Sequence, residues 1–333
     1  MTNKKLLTDC QFCSLVSKAK GEDPIGTANT ADTWLIMEIS LPWTEKHLSS
    51  NPTLEKIHSL FHELKDPHPR IVPMAIAPDE EYSVPGYTRV FRYDRPAQSF
   101  AQFKKQEFLV PNSHFAQLVV VLLRQPDKLY QFEVYRQSNH DIRELMICTH
   151  GNVDVACSRF GYPIYRKLRR DYAPTSNRKL RVWRCSHFGG HQFAPTLFDL
   201  PTGHFWGHVE PMMLDTLVWR DSAVTQLRQF YRGWSGLTKF EQIVEREIWM
   251  QHGWEWLNYR KSGQLLAVDA ANERLNADWA EVRIDFTSPN GDSKGSYEAR
   301  VEVCNQIMTA FNSGREQCLQ PVKQYRVSQL RRN

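Results

Sequence analysis

The sequence predicts an α/β protein, because strand-like and helix-like segments alternate along it in a repeated order. Short runs of consecutive apolar residues indicate buried strands, and apolar residues three and four positions apart indicate a helix. Around residues 33–93 these segments follow the order β-α-β-β, and the same order recurs around residues 144–209. A helix that connects two strands in such a unit packs on one face of their sheet. We therefore expect two similar α/β layers and a C-terminal part of a different pattern.

The first unit opens with a continuous apolar run. Residues 33–41 are apolar almost throughout and end at Pro42, which is typical of a buried strand. Residues 54–64 place leucine, isoleucine and phenylalanine at helical spacing, so we expect a helix that packs on the sheet. Two further apolar runs, residues 70–77 and 88–93, complete the unit as strands.

A connecting region and the second unit follow. Between the units we expect a strand at residues 106–110, a helix at 113–123 and a strand at 129–135. The second unit is predicted as a strand, a helix and three strands, at residues 144–148, 161–171, 180–185, 193–200 and 204–209. Because both units share the order β-α-β-β, we interpret them as two thioredoxin-like halves.

The C-terminal part begins with helical patterns. Apolar residues recur at helical spacing over residues 211–230 and 238–248, which predicts two helices. Two strands are predicted further on, at residues 279–286 and 297–303, and an Asn-Gly turn joins them. We expect a mostly helical extension that ends in a β-hairpin. The predicted division into an N-terminal segment, two thioredoxin-like halves and this extension is 1–33, 34–140, 141–210 and 211–333.

The composition indicates a globular protein whose thiols are reduced. Hydrophobic residues make up 41% of the 333 residues and charged residues 24%, which is typical of a soluble chain. No apolar run is long enough to span a membrane, and the first residues do not resemble a signal peptide. An odd count of seven cysteines argues against a disulfide framework. We expect a cytoplasmic protein.

Two cysteines and two histidines in the middle of the chain are candidate metal ligands. Cys148 and Cys157 are nine positions apart, and His187 and His191 follow with a four-residue spacing. Cys148 is expected at the end of a strand and Cys157 just before a helix, so both thiols can face one site. The two glycines between the histidines disfavour a helix and favour a loop that lets the backbone approach a metal closely.

These residues alone leave three interpretations open. Two thiolates and two imidazoles can hold a [2Fe–2S] cluster, with two protein ligands on each iron. The H-x3-H spacing also suits a zinc site, although C-x8-C is wider than the cysteine spacing of most zinc fingers. The third interpretation is a set of structural residues without a metal. His150, Cys185, His204 and His208 lie nearby in sequence, and we interpret them as structural.

A second cysteine pair stands near the N-terminus. Cys10 and Cys13 form a CxxC motif, which can be a redox pair or half of a metal site. The CxxC of thioredoxin-like enzymes follows a strand, and no strand is predicted before residue 10. We therefore favour the interpretation of two incidental thiols.

The chain resembles the sucrase/ferredoxin-like family, whose fold is that of thioredoxin-like [2Fe–2S] ferredoxins. The resemblance extends from near the N-terminus to about residue 210. Its features are Gly26-Thr-Ala28, Trp34-Leu-Ile-Met-Glu38, Pro42-Trp43, Cys148-x8-Cys157 and His187-Phe-Gly-Gly-His191. It implies that a [2Fe–2S] cluster is ligated by Cys148, Cys157, His187 and His191. Sucrase activity is not expected, because the sequence offers no assignable carboxylate pair for glycoside hydrolysis.

The leading functional hypothesis is a one-electron carrier or a redox sensor rather than an enzyme. A basic stretch could steer an acidic ferredoxin or a flavoprotein reductase toward the cluster, and a solvated helix face is the equal alternative. The residues expected to dock this partner are Arg166, Lys167, Arg169 and Arg170. We expect neither nucleic acid nor a membrane as a partner.

Two further hypotheses come from other classes of protein. One is a thioredoxin-like thiol–disulfide oxidoreductase that uses Cys10 and Cys13. The other is an interaction module stabilised by zinc.

Overall fold

The computed structural model describes residues 11–63, 70–139, 141–269, 276–315 and 318–333. They form a nine-stranded mixed sheet and a four-stranded antiparallel sheet. The strands of the large sheet are β1 Thr33–Glu38, β2 Ile71–Ile76, β3 Tyr87–Asp94, β4 Lys104–Pro111, β5 Arg143–Cys148, β6 Leu180–Cys185, β7 Leu197–Leu200, β8 His204–Trp206 and β9 Tyr231–Trp234. Those of the small sheet are β10 Arg260–Val268, β11 Trp279–Thr287, β12 Lys294–Ala310 and β13 Leu319–Arg332.

Helices cover or connect these strands. The α-helices among the described residues are α1 Cys13–Ala19, α2 Glu45–Ser50, α3 Pro52–Glu63, α4 Phe115–Arg124, α5 Val155–Lys167, α6 Leu214–Trp219 and α7 Lys239–His252. None of the helices that the structure describes combines the length and the hydrophobicity needed to cross a membrane.

The two β-α-β-β units have the same strand arrangement. In the first unit β2 is parallel to β1, and β3 is antiparallel to β1 and pairs with β4. In the second unit β6 is parallel to β5, and β7 is antiparallel to β5 and pairs with β8. The order across the large sheet is β4-β3-β1-β2-β6-β5-β7-β8-β9. The two units therefore lie side by side, and an antiparallel bridge between Ile76 and Cys185 joins their strands.

β1 shows why the middle of its sequence is continuously apolar. All six of its residues are buried. Successive side chains of a strand point to opposite faces, and those of Trp34 and Ile36 pack in one hydrophobic cluster. Leu35 and Met37 pack in a second cluster, on the other face. A strand covered on both faces cannot show the alternation of a half-exposed strand.

The α/β class and the repeated β-α-β-β order are confirmed. β6 covers the same residues as predicted, and the other predicted strands of the two units agree within a few residues, apart from 193–200. The strand predicted at 193–200 is shorter, because only Leu197–Leu200 pairs with β5. The strand predicted at 129–135 is wrong. This segment belongs to a run of 3-10 helix, Pro126–Tyr135, that buries Phe132 and begins with a proline.

The C-terminal part contains more strand than the sequence predicts. The predicted hairpin corresponds to β11 and β12, but β10 and β13 extend it to four strands. β13 carries mostly polar and basic residues and is largely exposed, so it lacks the apolar run that marks a buried strand. The predicted helix at 211–230 is also wrong in extent. It is interrupted after α6 by Arg220, whose φ is 58°.

The small sheet shares its hydrophobic core with the large sheet. One cluster of buried side chains includes Trp34 and Phe205 from the large sheet, Trp249 from α7, and Ile284 and Val301 from the small sheet. In addition, β9 lies beyond residue 210 but pairs with β8 of the second unit. The predicted boundaries between the four parts stay a prediction.

Candidate metal centre

α5 and β5 bring the two cysteines of the central stretch together. Cys148 is the last residue of β5, and Cys157 lies in the first turn of α5. The helix begins earlier than predicted, because the side chain of Asp154 accepts a hydrogen bond from the Ala156 amide and caps it. A Cβ on Gly161 would overlap the carbonyl oxygen of Cys148. Glycine at this position therefore lets α5 pack closely against the end of β5.

The two histidines lie on the loop that follows β6. Gly189 and Gly190 have φ values of 91° and 76°, a region that favours glycine. His191 then begins a 3-10 turn, His191–Phe193. The expectation that the two glycines form a loop rather than a helix is confirmed.

Three of the four candidate ligands lie close to one another near the ends of β5 and β6. The sulfur atoms of Cys148 and Cys157 and a ring nitrogen of His187 all lie within 4.8 Å of one another. The rings of His187 and His191 are 5.3 Å apart between centroids. His191 does not belong to the first group. Its ring nitrogen lies within 4.8 Å of Cys13 and Asp154 instead.

The two thiols share a proton. The Cys157 thiol donates to the Cys148 sulfur, and this hydrogen bond is the main reason why the pKa of Cys148 falls below its ordinary value. His187 lowers the pKa of Cys148 further, although burial opposes the shift. The pKa of Cys157 is raised, because its proton is held by Cys148 and because it is buried. One thiolate is therefore available at neutral pH, and the thiolate is the form of cysteine that binds metals.

Each histidine has a ring nitrogen that lacks a partner. Nδ1 of His187 and Nδ1 of His191 are buried, and neither has a hydrogen-bond partner among the described residues. A buried polar atom without a partner costs free energy. Nε2 of His191 donates to Oδ1 of Asn312 over 3.2 Å, which leaves Nδ1 as the nitrogen with a lone pair. A metal bound at Nδ1 would give this buried atom the partner that it lacks. Histidine ligands typically donate a hydrogen bond from their other ring nitrogen, as Nε2 of His191 does.

His150 supports the loop of His187, a role that the sequence did not indicate. The backbone amide of His187 donates to Nδ1 of His150 over 3.3 Å. Nε2 of His150 donates in turn to the carbonyl oxygen of Trp43 over 2.9 Å. His150 therefore orients the loop through its backbone. In the sequence, only the position of His150 two residues after Cys148 could have indicated this role.

Arg232 is a second residue that sequence reasoning missed. It lies on β9 and is 1% exposed. Its Nη1 donates to the carbonyl oxygen of Gly189 over 2.9 Å. The side chain lies so close to the loop that a Cβ on Gly190 would overlap it. No sequence pattern connects β9 with this loop, so only the fold shows the contact.

Cys13 lies beside the candidate metal centre. Its backbone amide donates to Oγ of Ser313 over 3.1 Å, and its sulfur lies 3.3 Å from that oxygen. Burial raises the pKa of Cys13 to about 12, so the thiol is protonated and poorly nucleophilic at neutral pH. Cys10 lies outside the described residues. The state of Cys13 argues against the oxidoreductase hypothesis, and its burial shows that this thiol is not incidental.

The other nearby cysteine and histidines are buried, as expected for structural residues. Cys185 ends β6 and is fully buried. His204 and His208 are also buried, and burial lowers the pKa of each. Nε2 of His208 is 3.3 Å from Oγ of Ser17.

Three of the four basic residues expected at a docking surface form ion pairs within the chain. Arg169 pairs with Asp79 and Glu81, at 3.0 and 2.7 Å. Lys167 and Arg170 both pair with Asp171. Arg166 is exposed and forms no ion pair with the described residues. These pairs reduce the positive charge of the predicted surface.

The fold and the donor set together define the class of protein. It is a mixed α/β protein in which a strand, a helix and one loop bring Cys148, Cys157 and His187 together, with the His191 ring 5.3 Å from that of His187. A comparison with protein families matches residues 24–233, more than half of the chain, to the sucrase/ferredoxin-like family. The chain belongs to this family, as its resemblance indicates. Comparisons with curated proteins and with solved structures find no significant match.

Proposed function

We propose that Cys148, Cys157, His187 and His191 ligate a [2Fe–2S] cluster and that the protein carries single electrons or senses redox state. The observation that carries this proposal is the donor set itself. It contains a proton-sharing thiol pair and two imidazoles whose buried Nδ1 atoms lack partners. Two thiolates and two imidazoles are a known ligand combination for this cluster.

The spread of the donors supports a cluster over a single zinc ion. Zinc–sulfur and zinc–nitrogen bonds of roughly 2.0–2.3 Å place tetrahedral ligands within about 4 Å of one another. Here the donor atoms of Cys148, Cys157 and His187 lie within 4.8 Å of one another, which is close to this distance. His191 is not part of their group. Two irons bridged by sulfides need a wider set of ligands than one ion does.

The surroundings of His187 support electron exchange. His187 and His150 line an open cavity of about 390 Å³, whose other lining residues are mainly apolar. His187 and His191 are themselves half-buried. A cluster held there would lie near the surface, which shortens the path of an electron to a partner protein.

An acidic ferredoxin or flavoprotein reductase is the proposed partner. The helix α5 carries Cys157 at its first turn and Arg166 near its end. An acidic partner attracted to Arg166 would therefore dock on the same helix that holds a ligand. Steering by charge predicts that reduction by the partner slows as ionic strength rises. The Arg166→Glu variant should slow it too, whereas Arg326→Glu on β13 should not.

Purification of the protein without oxygen tests whether it binds the cluster. We expect a coloured protein that contains iron and acid-labile sulfide and gives an EPR signal after reduction. His187→Cys and His191→Cys should each change the spectrum, because a thiolate replaces an imidazole on one iron. Cys304→Ser, at an exposed position, is the matched control and should leave the spectrum unchanged.

Two outcomes would contradict the proposal. A colourless preparation with one zinc per chain, obtained without oxygen, would favour the zinc-stabilised module. A thiol–disulfide activity that depends on Cys13 and is indifferent to His187 would favour the oxidoreductase.

A further inference from the structure

Arg232 is a buried positive charge beside the candidate metal centre. We propose that this charge balances the negative charge that the reduced cluster gains, and that it thereby raises the reduction potential. The inference rests on the proposed cluster, and it adds a positioning and charge-balancing residue that is not itself a ligand.

The first observation is that the hydrogen-bond acceptors of Arg232 are neutral. Its guanidinium donates to the Gly189 carbonyl oxygen, to the Thr27 carbonyl oxygen over 2.7 Å and to Thr27 Oγ1 over 3.0 Å. It forms no ion pair with a carboxylate among the described residues. The other arginines that the structure describes as buried differ, because each pairs with at least one carboxylate. They are Arg89, Arg181 and Arg246.

A buried charge without an opposite charge is costly. The charges that act favourably on this guanidinium are those of the two thiols of the centre. Burial lowers the pKa of Arg232 to about 10, and the charges of Cys157 and Cys148 act against that shift. The guanidinium thus stays protonated at neutral pH, and its electrostatic partners are two of the candidate ligands.

The charge of the proposed cluster fits this arrangement. A core of two ferric irons and two sulfides, bound by two thiolates and two neutral imidazoles, is neutral overall. The addition of one electron makes it an anion. A buried cation nearby stabilises this reduced state more than the oxidised state, because a low-dielectric interior screens charge weakly. Reduction is therefore favoured.

Thr27 explains how the charge is held in place. Arg232 donates to both oxygens of Thr27, and the Thr27 amide donates back to the Arg232 carbonyl oxygen over 3.1 Å. Thr27 is the central residue of the Gly-Thr-Ala sequence at residues 26–28. This short motif near the N-terminus thus orients the guanidinium toward the loop of the two histidines.

The main test compares Arg232→Gln with Arg232→Lys in the cluster-loaded, full-length protein. We expect Arg232→Gln to shift the reduction potential to a more negative value, measured by spectroelectrochemical titration. Arg232→Lys keeps the charge and should stay closer to the wild-type potential, although it loses hydrogen bonds to Thr27 and Gly189. Arg246→Gln is the matched control. It removes a buried arginine that pairs with Asp23, so it should lower stability without moving the potential.

A second pair of variants leaves Arg232 in place, in case Arg232→Gln does not fold. Thr27→Asp puts a carboxylate beside the guanidinium and should shift the potential downward, because the two charges cancel. Thr27→Val removes the hydroxyl without adding charge and should leave the potential near the wild-type value. Thr27 is half-buried, so a side chain of this size can be accommodated.

The outcomes separate the two proposals. If the wild-type protein contains no iron and sulfide, both proposals are overturned. If the cluster is present and the potential of Arg232→Gln and of Thr27→Asp equals that of the wild type, the role of Arg232 alone is overturned. A downward shift in Arg232→Lys as large as in Arg232→Gln would also overturn it, because the effect would then follow the hydrogen bonds and not the charge.

Discussion

Cys13 has the same functional group as Cys148 but a different electrostatic environment. The sulfur of Cys148 accepts a hydrogen bond from a second thiol, which lowers the pKa of Cys148 below its ordinary value. The sulfur of Cys13 is buried beside Ser313 and Asp154, and its pKa is about 12. At the residue scale, burial and hydrogen-bond donors thus decide which thiol can bind a metal and which remains inert.

We predict that iodoacetamide at pH 8 does not alkylate Cys13 in the folded protein. A thiol whose pKa is raised to about 12 contains almost no thiolate at that pH, and this one is also inaccessible. Cys304 is exposed and serves as the internal control for labelling. Peptide mapping by mass spectrometry before and after denaturation measures the difference. Labelling of Cys13 at the rate of Cys304 in the folded state would contradict the prediction.

At the scale of elements, the position of α5 relative to β5 decides whether the two cysteines meet. The helix approaches the end of the strand so closely that only a hydrogen atom fits at Gly161. Its start is held by Asp154, which also accepts hydrogen bonds from the amide and hydroxyl of Ser313. The segment that follows β12 thereby helps to position the helix that carries Cys157.

We predict that Gly161→Ala destabilises the protein by about 1–3 kcal/mol, the usual cost of overpacking a core. The added methyl group overlaps the Cys148 carbonyl oxygen, so α5 must move away from β5 and the iron content should fall. Urea unfolding and iron analysis measure both effects. Gly291→Ala is the control, because nothing lies within 4 Å of its added Cβ and only its positive φ opposes the substitution. Full stability and iron content in Gly161→Ala would refute this account.

At the scale of the whole molecule, a buried charge network joins the two β-α-β-β units. Glu107 of β4 pairs with Arg89 of β3 and with Arg181 of β6, and Arg181 also pairs with Glu144 of β5. Lys105 completes the network. Burial alone would raise the pKa of Glu107, but its ion pairs outweigh burial and lower it. The carboxylate is therefore stabilised by folding.

We predict that the free energy of unfolding falls as the pH drops below about 4.5, the ordinary pKa of this side chain. A carboxyl group whose folded pKa is depressed contributes stability above its unfolded pKa and loses it on protonation. Glu107→Gln should therefore cost about 3–5 kcal/mol at pH 7, as breaking a buried ion pair does, and should weaken the acid dependence.

Urea unfolding at pH 7 and pH 4 measures this prediction. Glu63→Gln is the control, because its ion pair with Arg124 is exposed and is expected to contribute less than about 1 kcal/mol. Equal stability of Glu107→Gln and the wild type at pH 7 would contradict the role of the network.

The elements that local patterns determine could be predicted from the sequence. Buried strands such as β1 and β5 contain apolar runs, and α3 and α4 have helical spacing, so the repeated β-α-β-β order followed from the residues alone. The Gly189-Gly190 pair likewise indicated a loop, because a helix disfavours two glycines. The apolar pattern did not predict the secondary structure of segments without a dominant apolar face. Examples are β13 and the 3-10 helix Pro126–Tyr135.

Contacts between distant parts of the chain were decided only by the tertiary structure. The sequence identified the four candidate ligands, since their types and spacing are local features. It did not reveal that Arg232 reaches the histidine loop, that Cys13 lies beside His191, or that His150 holds the backbone of His187. Each of these contacts depends on how strands and helices pack, and side-chain packing at long sequence separation leaves no periodic signal in one sequence.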